Sequence, residues 1–459
     1  MKHIGFLLFA SLGGFCAAAD LASDAEECLS KAVKYFHSIN SNGGYVYYVT
    51  PDLSQRWGES PADDNTIEVQ PPGTPAVGMS FLRVWQVTGD ETALEAAKDA
   101  ADALLKGQNA LGGWEHTIRF DKPLGKTVSF DDDQTQSAIS FLMALDQEIE
   151  DPKLKFGIRN ALDLMIESQL EHGGWPHKYP WQGNYHDYAT FNDGGINDCL
   201  RVMMEAYKFY GGEEIRTSLV KGARFMLISQ LPPPQPGWAQ QYNEYLQPAW
   251  ARSFEPPSVC PAVTVKNINT LIDLYLVLGN RTYLEAIPDA LRWLESIQLE
   301  NGKWARFVEI GTGKPLYYDR GRIRVDTLDE LHPERRTGYA YQTDLSKALL
   351  ATNSRYQLAL DLGHKGLSEL ENASLEGEKA LKRLQALSNE VMRIIESQDE
   401  SGAWITKNDR FKKTMPRNIR WNGQYEVRDR ISSAVFIKNV GVLSEFIKLK
   451  RELSDSDLN

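Results

Sequence analysis

An all-α fold is expected from this sequence: an α/α toroid-like barrel of helical hairpins with long irregular and β-hairpin insertions. The first observation is a recurring phrase. "LLKGQNALGGWEHT", "MIESQLEHGGWPHK", "MLISQLPPPQPGWAQQ", "LESIQLENGKWARF" and "IIESQDESGAWITK" each set a tryptophan just past a helix end, at Trp114, Trp175, Trp238, Trp304 and Trp404. A weaker copy, "SINSNGGYVYY", puts Tyr45 in that place. Most copies lie 61 to 69 residues apart and the last is 100 away, which marks a repeated supersecondary unit. The second observation is helical periodicity between the copies. In "INDCLRVMMEAYKFYG", Ile196, Leu200, Met203, Met204 and Tyr207 fall on one helix face. The third is the pairing of such stretches across short breaks, giving roughly twelve helices and about six hairpins.

Taken along the chain, the first element is an export signal. Lys2 and His3 form a short polar start, Ile4 to Ala10 an apolar stretch, and Ala17 and Ala19 a small-residue cleavage site. Residues 1–19 are read as a signal peptide and 20–459 as a single toroid-like domain, periplasmic or extracellular after cleavage near Ala19. The signal is too short to span a membrane, and no later segment is apolar enough to do so. Without Cys16, the chain keeps Cys28, Cys199 and Cys260, so at most one disulfide is expected and no metal-type spacing occurs. Paired helices are expected over 134–149 and 153–169, 195–210 and 213–230, and 263–278 and 281–298. Two stretches break the pattern, 41–74 and 303–340. They are rich in Tyr, Val, Gly, Pro and charge, and "ARFVEIGTGKPLYYD" reads as a β-hairpin. Insertions of that length in a compact domain usually form or cover a cleft.

Net charge is −12, which argues against nucleic acid as a partner. A polyanionic ligand would need local basic patches, and two occur. One spans Lys303 to Arg324 and continues into Arg335 and Arg336; the other is 407–430. Aromatic residues such as Trp304, Tyr317, Tyr339 and Trp421 interleave with both. That favours a binding surface over an ordinary solvated charge run.

Two acidic segments stand at helix starts in successive repeats, "SFDDDQTQSA" and "YHDYATFNDGGIND". N-capping would need only one or two of these acids. If the repeats stack around a ring, Asp131 and Asp193 approach each other, and close like charges call for a cation such as Ca²⁺. In "QPAWARSFEPPSV", Arg252 lies in a rigid aromatic and proline-rich loop. Its plain alternatives are stacking on a ring or pairing with Glu255.

Together "GGWPHKYPWQGNYHDYATFNDG", "PAWARSFEPPSV" and "WARFVEIGTGKPLYYDRG…HPERRTGYAY" resemble polysaccharide lyase family 10, the pectate lyases, over about residues 40–445. The resemblance implies an incomplete toroid with a smaller irregular part. It implies cleavage of (1→4)-α-D-galacturonan in polygalacturonate and pectic polysaccharide by Ca²⁺-assisted β-elimination, giving 4,5-unsaturated products. By the same resemblance Arg252 is the catalytic base. Asp131 or Asp132, with Asp193, binds calcium, and the Asp131-Asp132-Asp133 run departs from the family's usual Asp-Asn. Arg336, with Arg335 as second choice, holds the substrate carboxylate. Lys178, Arg306, Arg324, Trp175 and Tyr339 complete the expected substrate contacts. A monomer without a separate carbohydrate-binding module is expected.

The proton removed in such a reaction lies α to the uronate carboxylate, at C5, and a cation on that carboxylate stabilises the charge that develops. A guanidinium normally stays protonated. Calcium and Arg336 nearby are expected to lower that barrier, which predicts an alkaline optimum. Two other readings stay open: an α/α-toroid glycoside hydrolase, and a non-catalytic binder of acidic glycans.

Overall fold

The computed structural model describes residues 9–416, 419 and 421–456. Residues 1–8 of the expected signal peptide lie outside the described residues, and so do the side chains as far as residue 20. The helices are α1 (Phe9–Ser38), α2 (Thr74–Thr88), α3 (Glu91–Gly107), α4 (Gln134–Asp146), α5 (Pro152–Glu167), α6 (Gly195–Tyr210), α7 (Glu213–Ile228), α8 (Pro261–Leu278), α9 (Ile287–Ser296), α10 (Pro333–Gly338), α11 (Ser346–Asn372), α12 (Gly377–Ser397) and α13 (Ser433–Ser456). Starts and stops follow local chemistry. Asp90 and Asp151 cap α3 and α5 with their carboxylates, and Gly89 and Gly279 end α2 and α8 in the left-handed conformation. The helix expected over 281–298 is divided: a 3₁₀ turn at Arg281–Leu284 precedes α9, because Pro288 has no N–H to continue a ladder and fits only a first turn.

The helices form two concentric layers. α13, α2, α4, α6, α8 and α11 pack in succession as the inner ring, and α12, α1, α3, α5 and α7 do so outside it. α9 covers α8 and α11. Inner helices α4 and α8 are buried on most sides, whereas α5 and α7 keep an exposed polar face. This is an α/α toroid. It is open at one seam, where α11 has no substantial packing with α12 or α13.

The repeated phrase is the joint between hairpins. In every copy the buried tryptophan donates its indole N–H to a carbonyl in the last turns of the preceding outer helix. Trp114 reaches Leu104, Trp175 reaches Met165, Trp238 reaches Met226 and Trp304 reaches Leu294, each at 2.8 Å, and Trp404 reaches Ile394 at 3.0 Å. The repeat's glutamine ties its own loop to the next outer helix. Gln108 donates to the carbonyls of Gly112 and Gly157, Gln169 to those of Gly173 and Ser218, and Gln398 to those of Gly402 and Cys28. The loop glycine lies flat on that same neighbour: a Cβ on Gly173 would sit 2.1 Å from the carbonyl oxygen of Lys221. At the seam Gln298 bonds its own loop at Gly302, and a Cβ on Gly302 would meet only the Gln298 amide, at an ordinary 3.9 Å.

Beside four of the tryptophans the chain pairs briefly with a segment that leads into an inner helix, the previous one at Trp114, Trp175 and Trp238 and the next one at Trp304. Thr66–Glu68 pairs with Thr117–Arg119, Val128–Ser129 with Lys178–Tyr179, Ala189–Thr190 with Gln241–Tyr242, and Trp304–Ala305 with Gln342–Thr343. These clamps gather the loops at one rim. A separate five-stranded sheet takes Tyr48–Val49, Arg56–Trp57 and Pro61–Ala62 from the first insertion. Its other strands are a long hairpin, Ile405–Lys412 and Tyr425–Ser432, which the sequence showed only as a basic run. The expected hairpin after Trp304 is present as two short ones, around Val308–Pro315 and at Tyr317–Asp319 with Ile323–Val325. Cys28, Cys199 and Cys260 are buried and unbridged. Among the described residues no helix is long and apolar enough to cross a membrane.

Candidate functional site

The two acidic segments are the same turn in adjacent repeats. Phe130 and Phe191 are tied by their N–H groups to the carbonyls of His177 and Gln240 at 2.9 and 2.7 Å. Each is followed by a 3₁₀ turn, Asp131–Asp133 and Asn192–Gly194, and the two turns touch. Within them Asp132 (φ 50°) and Asp193 (φ 46°) occupy the same left-handed position. Asp132 is therefore the counterpart of Asp193, and Asp131 that of Asn192. A non-glycine residue held there stores strain of a kind found mainly at functional sites.

The three consecutive acids have separate duties. Asp131 accepts from His177 Nδ1 at 3.0 Å. Burial opposes its ionisation, but that bond and the charges of His177, His186 and Arg252 outweigh it and hold the carboxyl below its ordinary value. Asp133 is gripped by Arg201 at 2.6 Å, yet burial pushes it up to about 6. Asp132 has no hydrogen-bond partner among the described residues. Burial, then the charges of Asp193, Asp131 and Glu59, push it up to about 7. None of the three caps α4 through its side chain.

Opposite them lies the turn Arg252–Glu255, closed by the Glu255 N–H on the Arg252 carbonyl at 2.9 Å and anchored by buried Phe254. Glu255 is 1% exposed and grips Arg252 in a fork, accepting from Nε at 2.9 Å and Nη2 at 2.6 Å. Tyr339 donates its hydroxyl to the same carboxylate at 2.9 Å. Nη1 of Arg252 has no hydrogen-bond partner among the described residues. Its guanidinium acts electrostatically on Asp131 and Asp132 and feels Asp193, so all four groups share one rim. Burial disfavours the charged guanidinium, but Glu255 outweighs it and raises Arg252 above its ordinary value. This is the reverse of the expected lowering. The reason is the buried partner, together with the position of Arg336, whose Nη1 donates to the Asp329 carbonyl on an exposed turn.

Arg335, not Arg336, joins the Arg252 wall. It is buried, 4.3 Å above the Phe254 ring that Arg252 also overlies at 5.2 Å. Arg306 stacks on Tyr339 at 4.2 Å, and its Nε is buried without a bond. With Asp193, Lys266, Gln240 and Trp304 it lines a cavity of about 270 Å³. Lys178 stands on the rim strand beside His186. Arg324 is occupied by Glu309 at 2.6 Å, away from the cluster. Trp175 corrects the expectation of a sugar contact: it is fully buried with its N–H spent inside the ring, so no ligand reaches its face. The sequence reading held the Arg252–Glu255 pairing only as the plain alternative, and it missed His177, which lies beside Asp131 and meets the stacked rings of Tyr185 and His186 edge-on.

Among the described residues no group of three or more His, Cys, Asp or Glu side chains converges as a metal cage. The pair Asp132 and Asp193 fits a hard cation differently: two strained carboxylates, one without a bond, repel each other and leave most coordination positions to other oxygens.

The rim of this open α/α toroid thus brings together two acidic turns and an arginine with one nitrogen unbonded among the described residues. The pectic acid lyase family model matches residues 121–303 and 295–350, half of the chain, and the chain belongs to that family. Among solved structures it is similar to a family 10 polysaccharide lyase from Cellvibrio cellulosa, with 21% identity over 62% of this chain and 98% of that one and a TM-score of 0.51. A mutant of that lyase in complex with trigalacturonic acid superposes with 21% identity over 61% and 98% and a TM-score of 0.50. No curated protein matches the chain significantly.

Proposed function

We propose that the chain is an exported, Ca²⁺-dependent pectate lyase that cleaves polygalacturonate by β-elimination, with residues 20–459 acting as one catalytic domain. The observation that carries this is the meeting of Asp132, Asp193 and the unbonded Nη1 of Arg252 on one rim. A bound galacturonic oligosaccharide in the similar Cellvibrio enzyme supports the substrate class.

Asp132 and Asp193 would hold the cation, with Asp131 kept in place by His177. Bound there, Ca²⁺ would neutralise the two carboxylates and draw charge from a uronate carboxylate, acidifying the C5 proton. Arg335 and Arg306 lie on the same wall, suited to a second uronate carboxylate. Glu255 fixes Nε and Nη2, so Nη1 is the atom presented to C5. In its deprotonated form Nη1 takes the C5 proton. The electron pair of the C5–H bond then forms the C4–C5 double bond, and O4 departs on the other sugar with the C4–O4 electron pair and takes a proton from solvent water. Because Glu255 holds Arg252 charged, the base form is scarce at neutral pH, and activity should climb well into the alkaline range.

The deciding measurement is near-ultraviolet absorbance of the unsaturated product on polygalacturonate, with Ca²⁺ and with chelator. Absorbance with Ca²⁺ alone is expected. New reducing ends without absorbance would make the enzyme a hydrolase, and neither signal would make it a binder. Arg252→Ala should cut kcat by roughly 10²–10⁴-fold, the usual share of a general base, and retain the melting temperature.

A further inference from the structure

The second basic run of the sequence has no part in the site above. Its residues build the hairpin Ile405–Lys412 and Tyr425–Ser432 at the edge of the five-stranded sheet. One face of the hairpin packs inward. Phe411 meets Trp57 at 5.7 Å, and Arg430 lies 3.6 Å from the Phe411 ring and 3.8 Å from that of Tyr48, its charge bound to Asp409. The other face stands in solvent. Across it Lys412 pairs with Tyr425 and Arg410 with Val427. Trp421 is 40% exposed and Tyr425 44%, and their rings meet edge to face at 5.2 Å.

The basic side chains of the hairpin differ in their partners. Lys407 is paired with Asp429 and Arg428 with Glu426. Arg410 and Lys412 have no acidic partner among the described residues. Each instead lies over an aromatic ring, Arg410 3.9 Å from Tyr425 and Lys412 5.0 Å from Trp421. Exposed rings beside unneutralised cations, on a chain of net charge −12, are complementary to a polymer of sugar rings bearing carboxylates. The hairpin also leads to the rim. Pro416, in its connecting loop, lines a cavity of about 330 Å³ with Glu59, His116 and Arg119, and Glu59 acts electrostatically on Asp132.

We propose that the outer face of this hairpin, Arg410, Lys412, Trp421 and Tyr425, is an accessory site that holds the galacturonan chain beyond the cleft. It rests on the reading of galacturonan as the substrate, and it lies outside the part of the chain matched by the family model.

The test is electrophoresis of the full chain through native gels that contain polygalacturonate, with chelator present to prevent cleavage. The wild type should be retarded. Trp421→Ala/Tyr425→Ala leaves net charge unchanged and should weaken apparent affinity roughly tenfold, as expected for lost stacking contacts. Arg410→Gln/Lys412→Gln at exposed positions should weaken it as well, and carries the test if melting curves show the aromatic variant unfolded. Arg252→Ala should be retarded like the wild type. A retarded wild type without lyase activity would remove the catalytic reading and keep the accessory site. Cleavage of polygalacturonate with both hairpin variants retarded like wild type would remove the accessory site alone. Equal retardation by heparin or RNA of matched charge would also overturn it, since charge alone would then account for binding.

Discussion

In the proposed mechanism Arg252 and Glu255 set the pH dependence of catalysis between them. Glu255 is buried, forked onto Nε and Nη2, and raises Arg252, so Glu255→Gln has two opposed consequences. It loosens the guanidinium, which should lower kcat about tenfold or more, and it removes the charge that keeps Nη1 protonated, which should move the alkaline rise to lower pH. A pH–rate profile separates these effects; an unmoved alkaline limb would remove Arg252 as the titrating base. The acidic run gives a second contrast. Asp132→Asn should raise the Ca²⁺ concentration needed for activity by tenfold or more, as Asp193→Asn should. Asp131→Asn should mainly cost stability by releasing buried His177, about 1–3 kcal/mol in thermal unfolding. An unchanged Ca²⁺ requirement in Asp132→Asn would return the metal to Asp131. The sequence carried the signal that separates these residues. Setting "FDDD" over "FNDG" puts Asp132 on Asp193, but only the shared left-handed backbone shows that this register is the physical one. The ranking of Arg336 over Arg335 had no support in the residues themselves for a similar reason: their difference is burial, which α10 creates by turning one inward.

The hairpin joints explain why the ring could be read so far from the sequence alone. Tryptophan, glutamine and glycine recur because each performs one local task, and the helices follow from periodicity and caps. What was not legible depended on distant partners. The hairpin at 405–432 lacks a clean alternation because its charged residues are paired across strands, and its apolar support comes from Trp57 and Tyr48 far away in sequence. The seam was illegible too, since the copy at Trp304 carries the same signature as the others. It supplies a controlled comparison. Gly173 and Gly302 both have positive φ, so alanine strains the backbone at each. Only Gly173 also presses on a carbonyl, that of Lys221. Gly302→Ala should cost about 1 kcal/mol and Gly173→Ala about 2–4 kcal/mol, read as melting temperatures. Equal losses would mean that the joints do not hold adjacent hairpins together.

Across the whole molecule, the ring stores an electrostatic cost where the repeats meet at the acidic turns, and pH and Ca²⁺ should both relieve it. Asp132 and Asp133 are raised to about 7 and about 6, above their unfolded value near 3.8. The native state therefore binds protons that the unfolded chain releases. The stability contributed by these groups is fully present below about pH 4 and is lost as pH rises through 6 and 7. Metal-free protein should accordingly melt at higher temperature at pH 5 than at pH 8. Glu255 and Asp131 act in the opposite sense, being lowered, but their contribution is lost only when pH falls through the carboxylate range. They do not cancel the trend between 5 and 8. Ca²⁺ at about one hundred times its Kd should stabilise the protein by about 2.7 kcal/mol at pH 8 and by less at pH 5, where protons compete for Asp132. The remaining acidic surface of a chain with net charge −12 also responds to pH, so Asp132→Asn is the needed control. In that variant the melting temperature should change less between pH 5 and 8, and the gain from Ca²⁺ should shrink. A metal-free wild type that becomes more stable from pH 5 to 8, or no gain from Ca²⁺ at pH 8, would show that the paired turns are not where this fold meets its cation.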